Sequence, residues 1–248
     1  MIGVRRIDFV AQAVDDLEPA DAFYGGALGL ARNPNTSGER WVEYETGNLT
    51  LALSRFGGAI AIGVDDVDAA RAELEDVGVE FHGETFDSGV CNGAPFTDPD
   101  GNSLLLHRRY APLEPYDKPA TEIERTDFIG VNVTDRGRAG EFYGGLLGLQ
   151  RNPLSSNEWP EFGASNVVLL LSTPEQKGEP EFDPYAAVAL RVPDVGASLE
   201  RLRAGGVEPE FPEPYDSGVC HMGFVRDPDG NALMLHRRYA PYSDGSMP

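Results

Sequence analysis

Hydrophobic and polar positions along the first half of the chain follow two periods in turn. The stretch RIDFVAQAV, residues 6–14, reads as a strand. In LEPADAFYGGALGL, residues 17–30, Ala20, Phe23, Tyr24 and Leu28 fall on one stripe of a short amphipathic helix that ends at glycines. Two strand-like runs follow, RWVEYET and LTLALS, joined at Gly47-Asn48 as a hairpin. The pattern then restarts: AIAIGV as a strand, and DDVDAARAELEDVG as a helix with Val67, Ala70, Leu74 and Val77 on one face. Two more strands complete the set, with Asp98-Pro99-Asp100-Gly101 between them as a type I turn.

The second half repeats this order. Asp8-Phe9 returns as Asp127-Phe128, FYGG at Phe23 returns at Phe142, and RNP at Arg32 returns at Arg151. DSGVC at 87–91 returns at 216–220, DPDGN at 98–102 at 227–231, and LHRRYAP at 106–112 at 235–241. The segment from Phe86 to Pro112 is far closer to its second copy than the rest of the chain is to its own. The repeat predicts two domains, 1–111 and 123–241, joined by the proline-rich linker 112–122 and followed by a tail, 242–248. STPEQKGEPEFDPY, present in the second copy alone, predicts a surface loop.

Composition narrows the function. The 248 residues carry 41 acidic and 20 basic side chains, a net charge of −21, which repels nucleic acid and anionic membranes. No apolar run approaches the roughly 18 residues of a membrane span, so a cytoplasmic protein is expected, with neither nucleic acid nor membrane as partner. Cys91 and Cys220 occupy equivalent places in the two copies, an arrangement that does not suggest a disulfide framework.

A strand, a helix and two or three strands, repeated as paired modules with FY…LGL after the first helix and DPDGN before the last strand, resembles the vicinal oxygen chelate superfamily, which includes glyoxalase I, bleomycin-resistance proteins and extradiol dioxygenases. The resemblance covers nearly the whole chain. It implies an α+β fold of two tandem domains, four βαβββ modules forming cupped mixed sheets. In metal-dependent relatives, His, Gln or Glu side chains project from the first and last strands of the modules into a cleft and hold a divalent ion. The resemblance carries those positions onto Phe9, Ala52, Ala59 and Leu105 in the first copy and Phe128, Leu170, Ala187 and Met234 in the second. None of these eight side chains suits a hard or borderline metal, Met being at best a soft thioether. The expectation is therefore a protein without cofactor, whose clefts bind a small apolar or aromatic molecule.

The remaining chemistry lies in the repeated Cys and His. Alternation along the last strand puts His107 on the face of Leu105, and His236 on that of Met234. In one reading His107 and His236 reach into the clefts as acid, base or ligand-orienting donor, with Cys91 and Cys220 as neighbouring thiols, giving a lyase- or dioxygenase-like enzyme with a non-standard metal or none. In the other, LHRRYAP packs the two domains together, each His bonds a backbone carbonyl, and the cysteines are small buried hydrophobes. Tyr24 and Tyr143 read as core residues of the helix stripe. The tandem copies are compatible with a monomer or a homodimer.

Overall fold

A computed structural model describes residues 2–173, 187–242 and 244–246. Each copy forms one eight-stranded mixed sheet. In the first copy β1 (Arg6–Ala13), β2 (Ala31–Arg32), β3 (Trp41–Glu45) and β4 (Thr50–Ser54) make one half; β5 (Ala59–Gly63), β6 (Phe86–Asp87), β7 (Cys91–Thr97) and β8 (Ser103–Arg109) make the other. The strand order is β2-β3-β4-β1-β5-β8-β7-β6, so the two modules meet at the antiparallel pair β1–β5, each with a parallel pair, β1–β4 or β5–β8, beside it. The second copy repeats this order with β9 (Arg125–Asn132), β10 (Gln150–Arg151), β11 (Glu161–Gly163), β12 (Val168–Ser172), β13 (Val188–Arg191), β14 (Tyr215–Asp216), β15 (Cys220–Arg226) and β16 (Ala232–Arg238). Residues 112–121, joining the copies, are neither helix nor strand. Most of the loop expected at STPEQKGEPEFDPY lies outside the described residues.

The helices α1 (Leu17–Asp21), α2 (Val67–Asp76), α3 (Arg136–Gly140) and α4 (Val195–Ala204) each start at an aspartate whose carboxylate accepts from a first-turn N–H: Asp16, Asp66, Asp135 and Asp194. This occupies an otherwise unpaired donor and favours the helix dipole. After α1 and α3 the chain widens into π-helical turns, Ala22–Ala27 and Glu141–Leu146, closed by Leu28 N–H to Phe23 C=O and Leu147 N–H to Phe142 C=O, both 2.9 Å. The predicted stripe Ala20, Phe23, Tyr24 and Leu28 is buried. On α2 the stripe ends one turn early: Val67, Ala70 and Leu74 are buried, whereas Val77, at the helix C-terminus, is 61% exposed. The helix has stopped, and its period no longer sets the direction of that side chain.

The copies are joined reciprocally. Asn166 Nδ2 donates to the Ile7 carbonyl and its Oδ1 accepts from Ile7 N–H; Asn48 does the same to Thr126, the matching residue of the other copy. Tyr24 OH donates to Asp227 at 3.0 Å and Tyr143 OH donates to Asp98 at 2.8 Å, so each DPDGN turn holds the π-helical turn after the first helix of the opposite copy. Burial, followed by the neighbouring carboxylate, pushes both phenols well above their usual pKa. Asp98 ties its own turn with Oδ1 and accepts Tyr143 and Asn102 with Oδ2. The turn phrase therefore both shapes a turn and forms the inter-copy contact. Buried residues of both copies merge into one continuous core.

Candidate functional site

Register and alternation place the carried-over positions on one face of each sheet. Phe9 pairs with Ala61, which pairs with Leu105; Ala52 pairs with Ala11, which pairs with Ala59. In the second copy Phe128, Leu170 and Met234 line a cleft of about 720 Å³. Ala187, fully buried, belongs to the small apolar cluster of Ala189, Met222, Phe224 and Met234, two of which, Met222 and Met234, line the cleft. Trp159, Glu161, Tyr215, Val219 and Tyr242 also line it. In the first copy Phe9 meets Trp41 and His107 edge-on, at ring-centroid distances of 5.2 and 5.1 Å. Trp41 Nε1 donates to Glu43 at 2.7 Å, which fixes the indole at the cleft.

A third side chain joins each Cys–His pair. His107 Nδ1 lies 2.6 Å from Asp8 Oδ2, and His236 Nδ1 lies 2.6 Å from Asp127 Oδ2. Both aspartates reach their histidines because the first strand of each copy bulges. The β1–β5 register slips between Ile7 and Phe9, and the β9–β13 register slips between the partners of Ala189 and Leu190, leaving Asp8 and Asp127 as the extra residues. Two successive side chains, Asp127 and Phe128, then face the same cleft. Across the first sheet Asp8 passes over Gly63, where a Cβ would lie 2.8 Å from its carboxylate. The second copy has Arg191 at that position in the ladder, and its guanidinium binds Asp127 at 2.8 Å.

The cysteines are set by the repeated turn. In DSGVC, Asp87 accepts from Gly89 N–H, Gly89 takes the left-handed conformation at φ 82°, and Ser88 Oγ accepts from Cys91 N–H at 3.1 Å. Ser88 Oγ also lies 3.1 Å from Cys91 Sγ; Ser217 and Cys220 repeat the contact. The strand end closes over this turn: Tyr110 N–H and Ala111 N–H donate to Val90 C=O, and Tyr110 OH donates to Asp87 at 2.5 Å. LHRRYAP thus docks on the DSGVC of its own copy, and the joint between copies is made elsewhere. The expectation that it packs the domains together is corrected, as is the carbonyl partner assigned to the histidines, whose Nδ1 faces a carboxylate. Arg109 and Arg238 likewise bind main-chain carbonyls, those of Ala111 and Ala240.

Cys91 starts β7 and sits diagonally across from His107, whose direct partner on β7 is Gly93. Burial alone would raise the Cys91 thiol; hydrogen bonding to His107 and Ser88, with the charges of His107 and Arg109, outweighs it and lowers the pKa. Cys220 is lowered in the same way by His236, Ser217 and Arg238. Burial disfavours charge on the imidazoles, yet the bonds to Asp8 and Cys91, or to Asp127 and Cys220, raise both to about 9. Each copy therefore carries an Asp–His–Cys set in which the imidazole is pushed up and the thiol is drawn down.

The metal that relatives hold does not fit here. The eight carried-over positions offer no oxygen or nitrogen donor, and Nδ1 of each histidine is engaged by a carboxylate. Among the described residues, no group of three or more His, Cys, Asp or Glu side chains, the Asp–His–Cys sets included, is arranged to hold a metal ion. None of the described helices is long and apolar enough to cross a membrane.

Comparison with known proteins places the chain in a family. Over 52 residues the chain is 36% identical to a probable lactoylglutathione lyase of Vibrio cholerae serotype O1; the match spans 21% of this chain and 38% of that protein. Solved structures share the fold over nearly the whole chain. Homoprotocatechuate 2,3-dioxygenase from Arthrobacter globiformis superposes with a TM-score of 0.69 at 19% identity, over 97% of this chain and 81% of that one. For the 2,3-dioxygenase LapB from Pseudomonas sp. KL28 the values are 0.67 and 14%, over 98% and 96%. For the Mn(II)-bound glyoxalase from Novosphingobium aromaticivorans they are 0.64 and 16%, over 94% and 82%. The family model described as Glyoxalase/Bleomycin resistance protein/Dioxygenase superfamily matches twice, at residues 6–106 and 125–235, and the chain belongs to that superfamily as a tandem two-domain member.

Proposed function

We propose that each cleft binds a small, largely apolar or aromatic molecule, with its polar end against the Asp–His–Cys set, and that binding requires no metal. The observation that carries this reading is the cleft of the second copy. Phe128, Trp159, Leu170, Met222 and Met234 supply apolar and aromatic walls in about 720 Å³, and His236 and Cys220 stand among them as polar groups. A concave, mostly apolar site with a few convergent polar groups is the usual form of a small-molecule site. The first copy presents Phe9, Trp41, Leu105, His107 and Cys91 in equivalent places. We place the domains at 1–111 and 123–241, with residues 112–122 as the linker; the two family matches, 6–106 and 125–235, fall within them.

A ligand that binds the folded chain raises its melting temperature with concentration. A thermal-shift screen of uncharged aromatic and apolar compounds is expected to give such rises, and Met234→Arg should remove those that report the second cleft. Compounds that bind as well to the double variant Leu105→Arg/Met234→Arg as to the unaltered chain would show that the clefts are not the site.

A further inference from the structure

We propose that Cys91 and Cys220 are nucleophiles that add to a small aromatic or apolar molecule bearing a carbon–carbon double bond conjugated to a carbonyl, with His107 and His236 supplying the proton. This rests on the reading of the clefts as ligand sites. Three observations support it. Each cysteine stands diagonally across the strand pair from a His whose Nδ1 is held by an aspartate, the order of nucleophile, base and orienting group found in activated thiols. The arrangement occurs twice, built by the same bulge and the same DSGVC turn. In the second copy the set shares a cleft with apolar walls, and in the first Phe9 packs on His107; such surroundings favour uncharged, polarisable substrates.

The reaction balances with the groups present. The thiolate sulfur forms a bond to the β-carbon, and the carbon–carbon π pair moves toward the carbonyl. The α-carbon then takes the proton from the imidazolium, whose Nδ1 remains on its aspartate. The product is a thioether beside a neutral imidazole, with no leaving group and no oxidant. The groups acting on Cys91 are His107 and Arg109 from β8, Ser88 from the turn, and Asp8 through His107, with Tyr110 and Asp87 nearby. For Cys220 they are His236, Arg238, Ser217, Asp127, Tyr239 and Asp216.

The test is alkylation of the full chain by N-phenylmaleimide, read by mass spectrometry from about pH 6 to about pH 8. The expected result is one adduct at each cysteine, at a rate near pH 6 at least about tenfold above that of glutathione, with a shallow pH dependence. Asp8→Asn and His107→Gln should each slow Cys91 by about tenfold near pH 6 while leaving Cys220 unchanged. Rates that climb about tenfold per pH unit in the unaltered chain, as for an ordinary thiol, would overturn the proposal without the need of any variant. N-phenylsuccinimide, the saturated analogue, separates the two readings. Saturable binding of it with an ordinary-thiol profile would sink the nucleophile alone. Fast, shallow alkylation that it does not slow would overturn the aromatic ligand class and the cleft reading with it.

Discussion

Asp8 and His107 are 99 positions apart in sequence, and a carboxylate oxygen of one lies 2.6 Å from a ring nitrogen of the other. Asp127 and His236 repeat the contact, with Asp127 also held by Arg191. Both imidazoles sit at about 9 against an ordinary 6.5. A His whose folded pKa is raised contributes stability in full below the unfolded value and loses it as pH rises through the folded one. The contribution is therefore present below about 6.5 and gone above about 9. A lowered Cys pKa acts oppositely, contributing most at high pH, so the His effect is cleanest in Cys91→Ser/Cys220→Ser. In that background, where the aspartates alone hold the imidazoles up, stability should fall as pH rises above about 6.5, and His107→Gln with His236→Gln should flatten the fall. Denaturant midpoints across that range decide it; an unchanged slope would contradict the pairing.

Gly63 keeps the first contact open. A methyl there would lie 2.8 Å from Asp8 Oδ1, so Gly63→Ala should push the carboxylate off His107 and return that imidazole toward 6.5. His236 should keep its raised value. Titration of the ring carbons by NMR distinguishes the two histidines, and a His107 that still titrates near 9 would show that Asp8 accommodates the methyl.

The tyrosine–aspartate bonds between copies predict a stability cost without a change at the clefts. Tyr24→Phe removes a buried donor to Asp227, and Tyr143→Phe removes its mate to Asp98. Each should cost about 1–3 kcal/mol, and the two should add, because they lie in separate contacts. Urea unfolding measures both; a change below about 0.5 kcal/mol would mean the carboxylates are satisfied otherwise.

Asn166→Ala strips both partners from the main chain of Ile7 and one from Asn48. Loss of about 1–3 kcal/mol is expected, more than for Asn→Ala at an exposed position. Hydrogen exchange at Ile7 should accelerate in the same variant. Protection that persists there would place the support of β1 elsewhere.

Much of this architecture was legible in the repeat. The strand and helix periods, the DPDG turns and the alternation that aims His107 beside Leu105 are local, and all can be read from a few residues. Asp8 was not legible as a site residue, although Asp8-Phe9 recurs as Asp127-Phe128. Strict alternation sends Asp8 to the face opposite Phe9, and only the slipped register of β1 against β5 brings both to the cleft. Tyr24 was read correctly as buried, but its partner is Asp227, 203 positions away, and no periodicity within one helix points there. The cysteines lacked a visible base for the same reason: their histidines lie on the adjacent strand, set by a register that a single segment does not encode.

The central claim, that both clefts bind small aromatic molecules, is tested most directly by tryptophan fluorescence. Trp41 packs on Phe9 in the first cleft and Trp159 lines the second. Titration of Trp159→Phe and of Trp41→Phe with N-phenylsuccinimide and other uncharged aromatics isolates each cleft in turn. Saturable quenching in both variants, unaffected by chelators, is the predicted result. Quenching that stays linear with concentration across the whole set in both variants would contradict the account.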